Sequence, residues 1–302
     1  MTPEEFRRRL FDLFLYEGRP YGMVKTIHDA QQAYGERVVQ EFSGHFALSD
    51  SFKALFIETT ELMNTHCRET MKAPLSEHFA MFLPRLVHAF HIVCGAEASA
   101  IRGYPRPAFT TLRNVFDDCV MTSAALQRIT TFYAIEGLDP KAQFDPATYK
   151  TLRKKEEFRV NGLMTSGPNT NLEQATLDAL KKLNDLYDME VHGSRLSMTD
   201  SMAFMKQQGP LHVVPMFKPM SFALFMNRFT EVTWLIHRLL PAVQPPDAPM
   251  PDEWVNKWQV IDESYDIVLK ALHADAGKAI GQEFPKFVAA KFPFNAKSVF
   301  PL

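Results

Sequence analysis

Apolar residues recur at every third or fourth position along most of the chain, which is the spacing of an amphipathic α-helix. A helix that begins near Ser49 follows this pattern, with Phe52, Leu55, Phe56, Thr59 and Met63 on one face. Only "HVVPMFKPM", at 212–220, resembles a strand, and its two prolines limit it to an edge hairpin or an extended loop. The sequence therefore predicts an all-α, multi-helix bundle with at most one short extended hairpin.

Residues that start and stop helices set the predicted boundaries. Thr2 and Glu5 form a capping box, with Pro3 at the first helical position. The predicted helices cover about 3–16, 23–42, 49 onward, 76–102, 108–136, 146–160, 170–192, 221–240, 253–274 and 276–291. Pro84 is expected to kink the fourth of these helices. Glycines are expected to end three of them, at Gly103, Gly137 and Gly162.

A proline-rich segment divides the chain near its C-terminal end. Residues 241–253 contain five prolines in thirteen positions, which is typical of a linker. The sequence thus predicts a helical bundle domain over 1–243, and a proline-rich linker with a C-terminal helical appendage over 244–302. Because a short pair of helices rarely forms a core alone, we expect the appendage to dock on the bundle or on a protein partner.

Composition and charge narrow the class of protein. The 302 residues include 33 basic and 35 acidic side chains, a net charge of −2, so any contact with nucleic acid must depend on a local patch. Cys67, Cys94 and Cys119 are not closely paired, which is typical of reduced thiols in the cytoplasm. The apolar stretch at 78–101 contains Pro84, Arg85, His88 and His91, which favours a buried helix over a membrane span.

The absence of several sequence motifs disfavours common classes of enzyme, and no motif indicates a cofactor. The chain has no phosphate-binding loop, dinucleotide fingerprint, zinc-peptidase motif, hydrolase elbow or paired-cysteine motif. His88 and His91 share a helix face and Glu97 follows, a spacing that metal sites in helix bundles use. Because the full di-iron pattern is missing, we interpret both histidines as buried or half-buried structural residues and predict no metal.

A polar cluster lies where a predicted helix breaks, in "LNDLYDMEVHGSRLSM" at 183–198. His192 comes directly before the helix-ending Gly193, and a histidine at a helix C-terminus is favoured as a cation. The neighbouring polar residues that we expect to surround this histidine are Tyr187, Glu190, Ser194 and Arg195. On another helix, Arg113 and Asp117 are four apart and are expected to pair with each other or to face this cluster.

Two segments resemble a known group of bacterial all-α proteins. "GAEASAIRGYPRPAFTTLRNVFDDCVMTSAAL", at 95–126, is similar to the helix pair of that group, with a Gly-Tyr turn followed by a Leu-Arg-x-x-Phe-Asp run. "LYDMEVHGS", at 186–194, is similar to its closing motif around a histidine. The group belongs to the HEPN superfamily (higher eukaryotes and prokaryotes nucleotide-binding domain), and the resemblance covers about 85–240.

The resemblance implies binding of RNA or nucleotide, with metal-independent RNA cleavage as the implied activity. His192 matches the histidine of the superfamily's Arg-x(4–6)-His motif, in which it exchanges a proton with RNA while the arginine stabilises the phosphate. The motif arginine is missing, because Asp185, Leu186 and Tyr187 occupy its positions. Arg113 is then the candidate for the second catalytic residue.

Two functional hypotheses follow from the sequence. The first is a HEPN-like component of a bacterial defence, toxin or stress system that binds RNA or nucleotide and cleaves RNA. The second is a non-enzymatic helical interaction or scaffold module, which the 15 methionines of the chain also suit. The charged run "TLRKKEEFR", at 151–159, is interpreted as a solvated helix face. Several strongly apolar helices favour a homodimer.

Overall fold

A computed structural model gives the fold of the chain. It describes residues 2–13, 15–16, 19–20, 22–70, 81–137, 145–166, 215, 217, 219–244 and 249–275. Within these residues α-helix dominates, and the extended structure is one antiparallel pair of two-residue strands. The predicted all-α, multi-helix class is therefore confirmed. The segment at 212–220, predicted as a hairpin or loop, lies mostly outside the described residues, and a helix begins at Pro219.

The described helices, numbered along the chain, have the following bounds. They are α1 (Pro3–Leu13), α2 (Gly22–Glu41), α3 (Ser43–Thr70), α4 (Leu83–Ile101), α5 (Pro105–Leu126), α6 (Phe132–Ile135), α7 (Pro146–Ser166), α8 (Pro219–Leu239) and α9 (Asp252–Asp275). A single 3-10 turn, Leu240–Val243, follows α8. The strands β1 (Leu15–Tyr16) and β2 (Arg19–Pro20) form a hairpin between α1 and α2.

Local side-chain chemistry explains several of these boundaries. The backbone N–H of Glu5 donates to Thr2 Oγ1 at 3.2 Å, and the N–H of Thr2 donates to Glu5 Oε2 at 2.8 Å, so the predicted capping box is confirmed. Asp145 caps α7 by accepting from the N–H of Thr148 at 3.0 Å. Gly103 ends α4 with a φ of +92°, a conformation that glycine adopts at low steric cost.

The structure corrects four of the predicted boundaries. α1 ends at Leu13 because the β1–β2 hairpin follows it, and α3 begins at Ser43, earlier than the predicted start. Pro84 lies in the first turn of α4, and residues 71–80 lie outside the described residues, so the kink at Pro84 stays a prediction. α7 continues through Gly162 to Ser166, since an isolated glycine weakens a helix without ending it.

The fourth corrected boundary is the end of the long helix that was predicted to run to Glu136. α5 ends at Leu126, and Arg128 takes a positive φ of 59°. Thr131 then accepts a hydrogen bond from the N–H of Ala134 at 3.1 Å and starts the separate short helix α6. Periodicity alone does not detect such a break, because the apolar positions on either side keep a helical spacing.

α8 lies at the centre of the bundle. It packs against α3, α4, α5 and α9, and its apolar side chains are almost fully buried on every side. The buried apolar residues are Phe222, Phe225, Met226, Phe229, Val232, Trp234, Leu235, Ile236 and Leu239. Polar residues of α8, including Arg228, Glu231 and His237, are buried as well, so other helices enclose α8 around most of its circumference. None of the described helices combines the length and the apolar composition that a bilayer-spanning helix needs.

The first helix beyond the proline-rich segment packs on the bundle. α9 contacts α3 and α8, and it buries Trp254, Trp258 and Tyr265 in the same apolar core. Trp254 Nε1 donates to Thr59 Oγ1 on α3 at 2.8 Å, so the contact is polar as well as apolar. The described part of the appendage therefore docks on the bundle of its own chain. Residues 276–302, with the second predicted appendage helix, lie outside the described residues.

The three candidate metal ligands on α4 differ in their exposure to solvent. His88 and His91 are exposed on α4, so the prediction that they are buried or half-buried is wrong. The helix turns both rings away from its apolar face, which carries Leu86, Ala89 and Val93 into the core. Glu97, in contrast, is buried; it accepts from Ser49 Oγ at 2.7 Å and pairs with Lys53. Within the described residues, no group of three or more His, Cys, Asp or Glu side chains is placed to hold a metal.

Candidate functional site

The predicted polar cluster divides into residues that the structure describes and residues that it does not. His192, Tyr187, Glu190, Ser194 and Arg195 lie outside the described residues. Their predicted proximity to Arg113 and Asp117 therefore stays a prediction. Arg113 and Asp117 both lie on α5, within the described residues.

Arg113 and Asp117 form an intrahelical ion pair on α5. Arg113 Nε lies 3.4 Å from Asp117 Oδ2, and the side chains are 30% and 33% exposed. Burial raises the pKa of Asp117, while the guanidinium groups of Arg113 and Arg228 oppose this rise. The two cations thus favour a carboxylate at neutral pH in a position where burial disfavours charge.

Asp117 lines a cavity between α5 and α7. The cavity has a volume of about 280 Å³, near the small end of the roughly 300–1,000 Å³ that is usual for ligand pockets. Its walls come from α4, α5, α6 and α7, with the residues Arg85, Asn114, Asp117, Asp118, Met121, Ile135, Tyr149, Lys150, Arg153 and Lys154. We call this cavity the α5–α7 pocket. Its size suits one compact ligand better than a long polymer.

The two main walls of the α5–α7 pocket carry opposite charge. Lys150, Arg153 and Lys154 come from α7, where a spacing of three and four residues places them on one side of the helix. Asp117 and Asp118 come from α5, together with the amide of Asn114. Such a pocket offers cations to an anionic group and acceptor oxygens to a hydrogen-bond donor.

Arg85 and Asp118 hold the inner part of the pocket together. Arg85 Nη2 donates to Asp118 Oδ1 at 3.2 Å, and Arg85 also pairs with Glu136 directly after α6. Arg153 Nη2 donates to the same Asp118 oxygen at 3.2 Å, and its Nη1 donates to the Tyr149 hydroxyl at 3.1 Å. Charges on α4, α5 and α7 thus neutralise each other and fix these helices around the pocket.

The two lysines of the pocket are not part of the ion pairs that join Arg85, Asp118 and Arg153. Within the described part of the chain, neither Lys150 nor Lys154 forms an ion pair, and both are exposed. On the opposite wall, the hydrogen bond from Arg113 uses one of the two lone-pair sites of Asp117 Oδ2, and Oδ1 has no hydrogen bond to any described residue. The α5–α7 pocket therefore combines a neutralised interior with lysines and a carboxylate oxygen that can receive a ligand.

A buried charged pair lies in the core near Asp117. Arg228 and Glu231 on α8 are 2% and 0% exposed and approach to 3.1 Å. The Arg228 guanidinium also lies 4.0 Å above the ring of Phe116, the residue before Asp117. Buried ions are costly unless paired in this way, and the contact of Arg228 with Phe116 joins α8 to α5.

The sequence did not identify the lysines and arginine of α7 as part of a site. "TLRKKEEFR" was interpreted as a solvated face, and Lys155, Glu156 and Arg159 do lie outside the pocket. The available signal was the spacing of Lys150, Arg153 and Lys154, which puts three cations on one side of a helix. The sequence does not show that this side meets the acidic positions of α5.

Known proteins add no assignment to this geometry. Comparisons with protein-family models, curated proteins and solved structures found no match for the chain. The protein is thus an all-α bundle with a small pocket of mixed charge, and its function has to be inferred from that pocket.

Proposed function

We propose that the protein is a HEPN-like helical protein of a bacterial defence, toxin or stress system that binds RNA or nucleotide. The observation that carries the proposal is the α5–α7 pocket, where Lys150 and Lys154 are accessible and lack a carboxylate partner among the described residues. Lysine is a common ligand of phosphate in proteins. The free thiols of Cys94 and Cys119 suit the cytoplasm, where we place the protein.

A local patch is required because the whole chain carries a net charge of −2 and attracts phosphate only weakly. Asp118 of the pocket is already paired with Arg85 and Arg153, and Arg85 is also paired with Glu136 directly after α6. The lysines therefore contribute most of the attraction for an incoming anion. Binding that depends on them has to weaken as salt concentration rises.

RNA cleavage belongs to the same proposal. The catalytic candidates are His192, as general acid or base, and Arg113, as the cation that stabilises charge on phosphate. Arg113 is accessible on α5 and lies one helical turn before Asp117 of the pocket. Since the motif arginine upstream of His192 is missing, we expect the purified chain to cleave RNA weakly or not at all.

The binding proposal is tested with single-stranded RNA carrying a fluorescent label, followed by anisotropy over a series of salt concentrations. The double variant Lys150→Ala, Lys154→Ala should bind at least about 10-fold more weakly, with a salt slope smaller by about 1 for each lysine. Lys155→Ala is the matched control, since this lysine is exposed on the same helix but lies outside the pocket. Equal affinity of both variants would remove the pocket from the proposal.

The catalytic part is tested by RNA cleavage in the absence of metal and by thermal melting of the same samples. His192→Ala and Arg113→Ala should abolish any cleavage and leave the melting temperature nearly unchanged. A structural cluster would instead lose about 1–3 kcal/mol of stability for each buried group left unpaired. Robust metal-independent cleavage that is lost in His192→Ala would contradict the expected weak activity.

One observation favours the alternative, a non-enzymatic interaction module. α1 buries none of its residues, and Phe6 and Leu13 are 50% and 75% exposed. An apolar helix face of this kind suits a contact with a protein partner. This function would be preferred if neither RNA nor nucleotide bound while Phe6→Glu, Leu13→Glu abolished co-purification of a partner.

A further inference from the structure

The α5–α7 pocket has features that go beyond general attraction for phosphate. Asn114 and Asp117 are separated by three positions on α5, so one helical turn places an amide beside a carboxylate in the same wall. Asp117 Oδ1 has no hydrogen bond to a described residue, and Asn114 is exposed. Both groups are therefore available to a ligand.

An ionised carboxylate accepts hydrogen bonds and donates none, and this limits the nucleobases that it can bind. Guanine presents two adjacent donors, N1–H and the N2 amine, with the O6 acceptor beside them. Adenine, cytosine and uracil each place a ring or carbonyl acceptor next to their donor, and that acceptor would repel the carboxylate. An amide N–H, such as that of Asn114, complements the guanine O6.

The charges of the pocket also suit the two ends of a nucleotide. Lys150 and Lys154 on α7 provide cations for a phosphate, while Asp117 on α5 provides acceptors for a base. The volume of about 280 Å³ limits the occupant to one compact unit. From this geometry we infer that the α5–α7 pocket binds a guanine nucleotide, with the phosphate at Lys150 and Lys154 and the base edge at Asp117 and Asn114. This inference rests on the proposed nucleotide-binding function and names its ligand.

The two cations near Asp117 support this role. Arg113 pairs with Oδ2, and Arg228 lies close enough to favour the anion, so the carboxylate stays available as an acceptor. Because burial raises the pKa of Asp117, its charge disfavours folding at neutral pH. A charged side chain that lowers the stability of the fold is more typical of a residue kept for binding than of a residue kept for structure.

The test is calorimetric titration of the full chain with GMP, IMP and AMP. IMP differs from GMP only in lacking the N2 amine, so it should form one hydrogen bond fewer to the Asp117 carboxylate. We expect GMP to bind about 10-fold to 100-fold more tightly than IMP, and more tightly than AMP by at least as much. Asp117→Asn should reduce GMP affinity to that of IMP, because the amide replaces one acceptor with a donor. Asp50→Asn, at an exposed acid on α3, is the matched control.

The outcomes separate this inference from the proposed function. If all three nucleotides bind equally and Lys150→Ala weakens each of them, nucleotide binding stands and guanine selection is overturned. If neither RNA nor any monophosphate binds, both fail. A guanine preference that survives in Asp117→Asn overturns the assignment of the base edge. If that variant does not fold, the comparison of GMP with IMP in the unaltered chain still decides guanine selection.

The guanine can come from a free nucleotide or from an RNA end. Titration with a short RNA that carries one terminal guanosine, and with the same RNA carrying inosine, distinguishes these sources. Tighter binding of the guanosine RNA than of GMP identifies an RNA end as the ligand, and the reverse identifies the free nucleotide. Equal affinity of the guanosine and inosine RNAs, together with equal affinity of GMP and IMP, overturns the inference.

Discussion

His237 shows how strongly burial changes the chemistry of a single residue. Its ring is fully buried and stacks on Trp258, with ring centroids 5.0 Å apart and an interplanar angle of 9°. Nε2 lies 3.1 Å from the backbone oxygen of Trp258, and Trp258 Nε1 donates to the backbone oxygen of His237 at 3.0 Å. Burial, followed by the charge of Arg238, lowers the pKa of His237 to about 3.

The buried His237 leads to a prediction about how the stability of the fold depends on pH. The unfolded chain protonates His237 below a pH of about 6.5, whereas the folded chain keeps the ring neutral until about pH 3. The free energy of unfolding should therefore fall as pH decreases through this interval, with at most about 5 kcal/mol from this residue. Urea unfolding at a series of pH values measures the effect. His237→Phe should lose less stability over the interval than the unaltered chain does, and equal losses would contradict the assignment.

The histidines also show what residue type alone leaves open. His88 and His91 were considered as metal ligands because they share a helix face, yet both are exposed. No sequence motif indicated that His237 is buried. The three belong to helices with similar apolar content. Their different surroundings follow from which side of each helix meets another helix, and that is a property of the packing.

At the scale of elements, the docking of α9 gives a prediction about stability. Trp254 is fully buried between α9 and α3, and its indole N–H is bonded to Thr59. Trp254→Ala should lower the free energy of unfolding by about 3–5 kcal/mol, because it removes a large buried side chain and leaves a cavity. Chemical denaturation of the variant and of the unaltered chain, followed by circular dichroism, measures this change.

The matched control lies on the other face of the same helix. Val260 is 63% exposed, so Val260→Ala should change the free energy of unfolding by no more than about 0.5 kcal/mol. Similar small effects of both substitutions would indicate that α9 does not belong to the folding unit of the bundle. A large effect of Trp254→Ala alone would place the folding boundary beyond the proline-rich segment that was predicted to divide the chain.

The junction between α6 and α7 shows a second way in which elements depend on packing. Gly137 has a φ of +62°, and an added Cβ would lie 2.6 Å from the backbone oxygen of Tyr149. The glycine thus allows the chain after α6 to approach α7, which carries Tyr149 and Arg153 into the pocket. Gly137 does end a helix, as predicted, but that helix is the short α6 and not a long helix that begins near 108.

At the scale of the whole molecule, the homodimer stays a prediction. The apolar helices that suggested it bury much of their apolar surface within the chain, since α4 and α8 both contribute to the single core. The exposed apolar residues that remain include Leu13, Val260 and Ile267. Light scattering at tens of micromolar should give twice the chain mass of 34.5 kDa. A mass of one chain over the whole concentration range would contradict the dimer.

The sequence by itself determined the helical class and many of the local boundaries. The spacing of apolar residues indicated helices nearly everywhere, and the capping box at Thr2 and Glu5 formed as predicted. These features depend on residues within one or two helical turns, so they can be inferred from neighbouring positions. The break after Leu126 was missed, because its apolar positions keep their helical spacing through the break.

Only the tertiary structure decided which polar residues meet. Asp118 lies on α5, Arg85 on α4 and Arg153 on α7, and their ion pairs join positions that are 33 and 35 residues apart in the chain. Periodicity shows which side of each helix is polar, but it does not show which helix faces that side. The sequence therefore does not predict that Lys150 and Asp117 come together. The packing of α5 against α7 makes them two walls of one pocket.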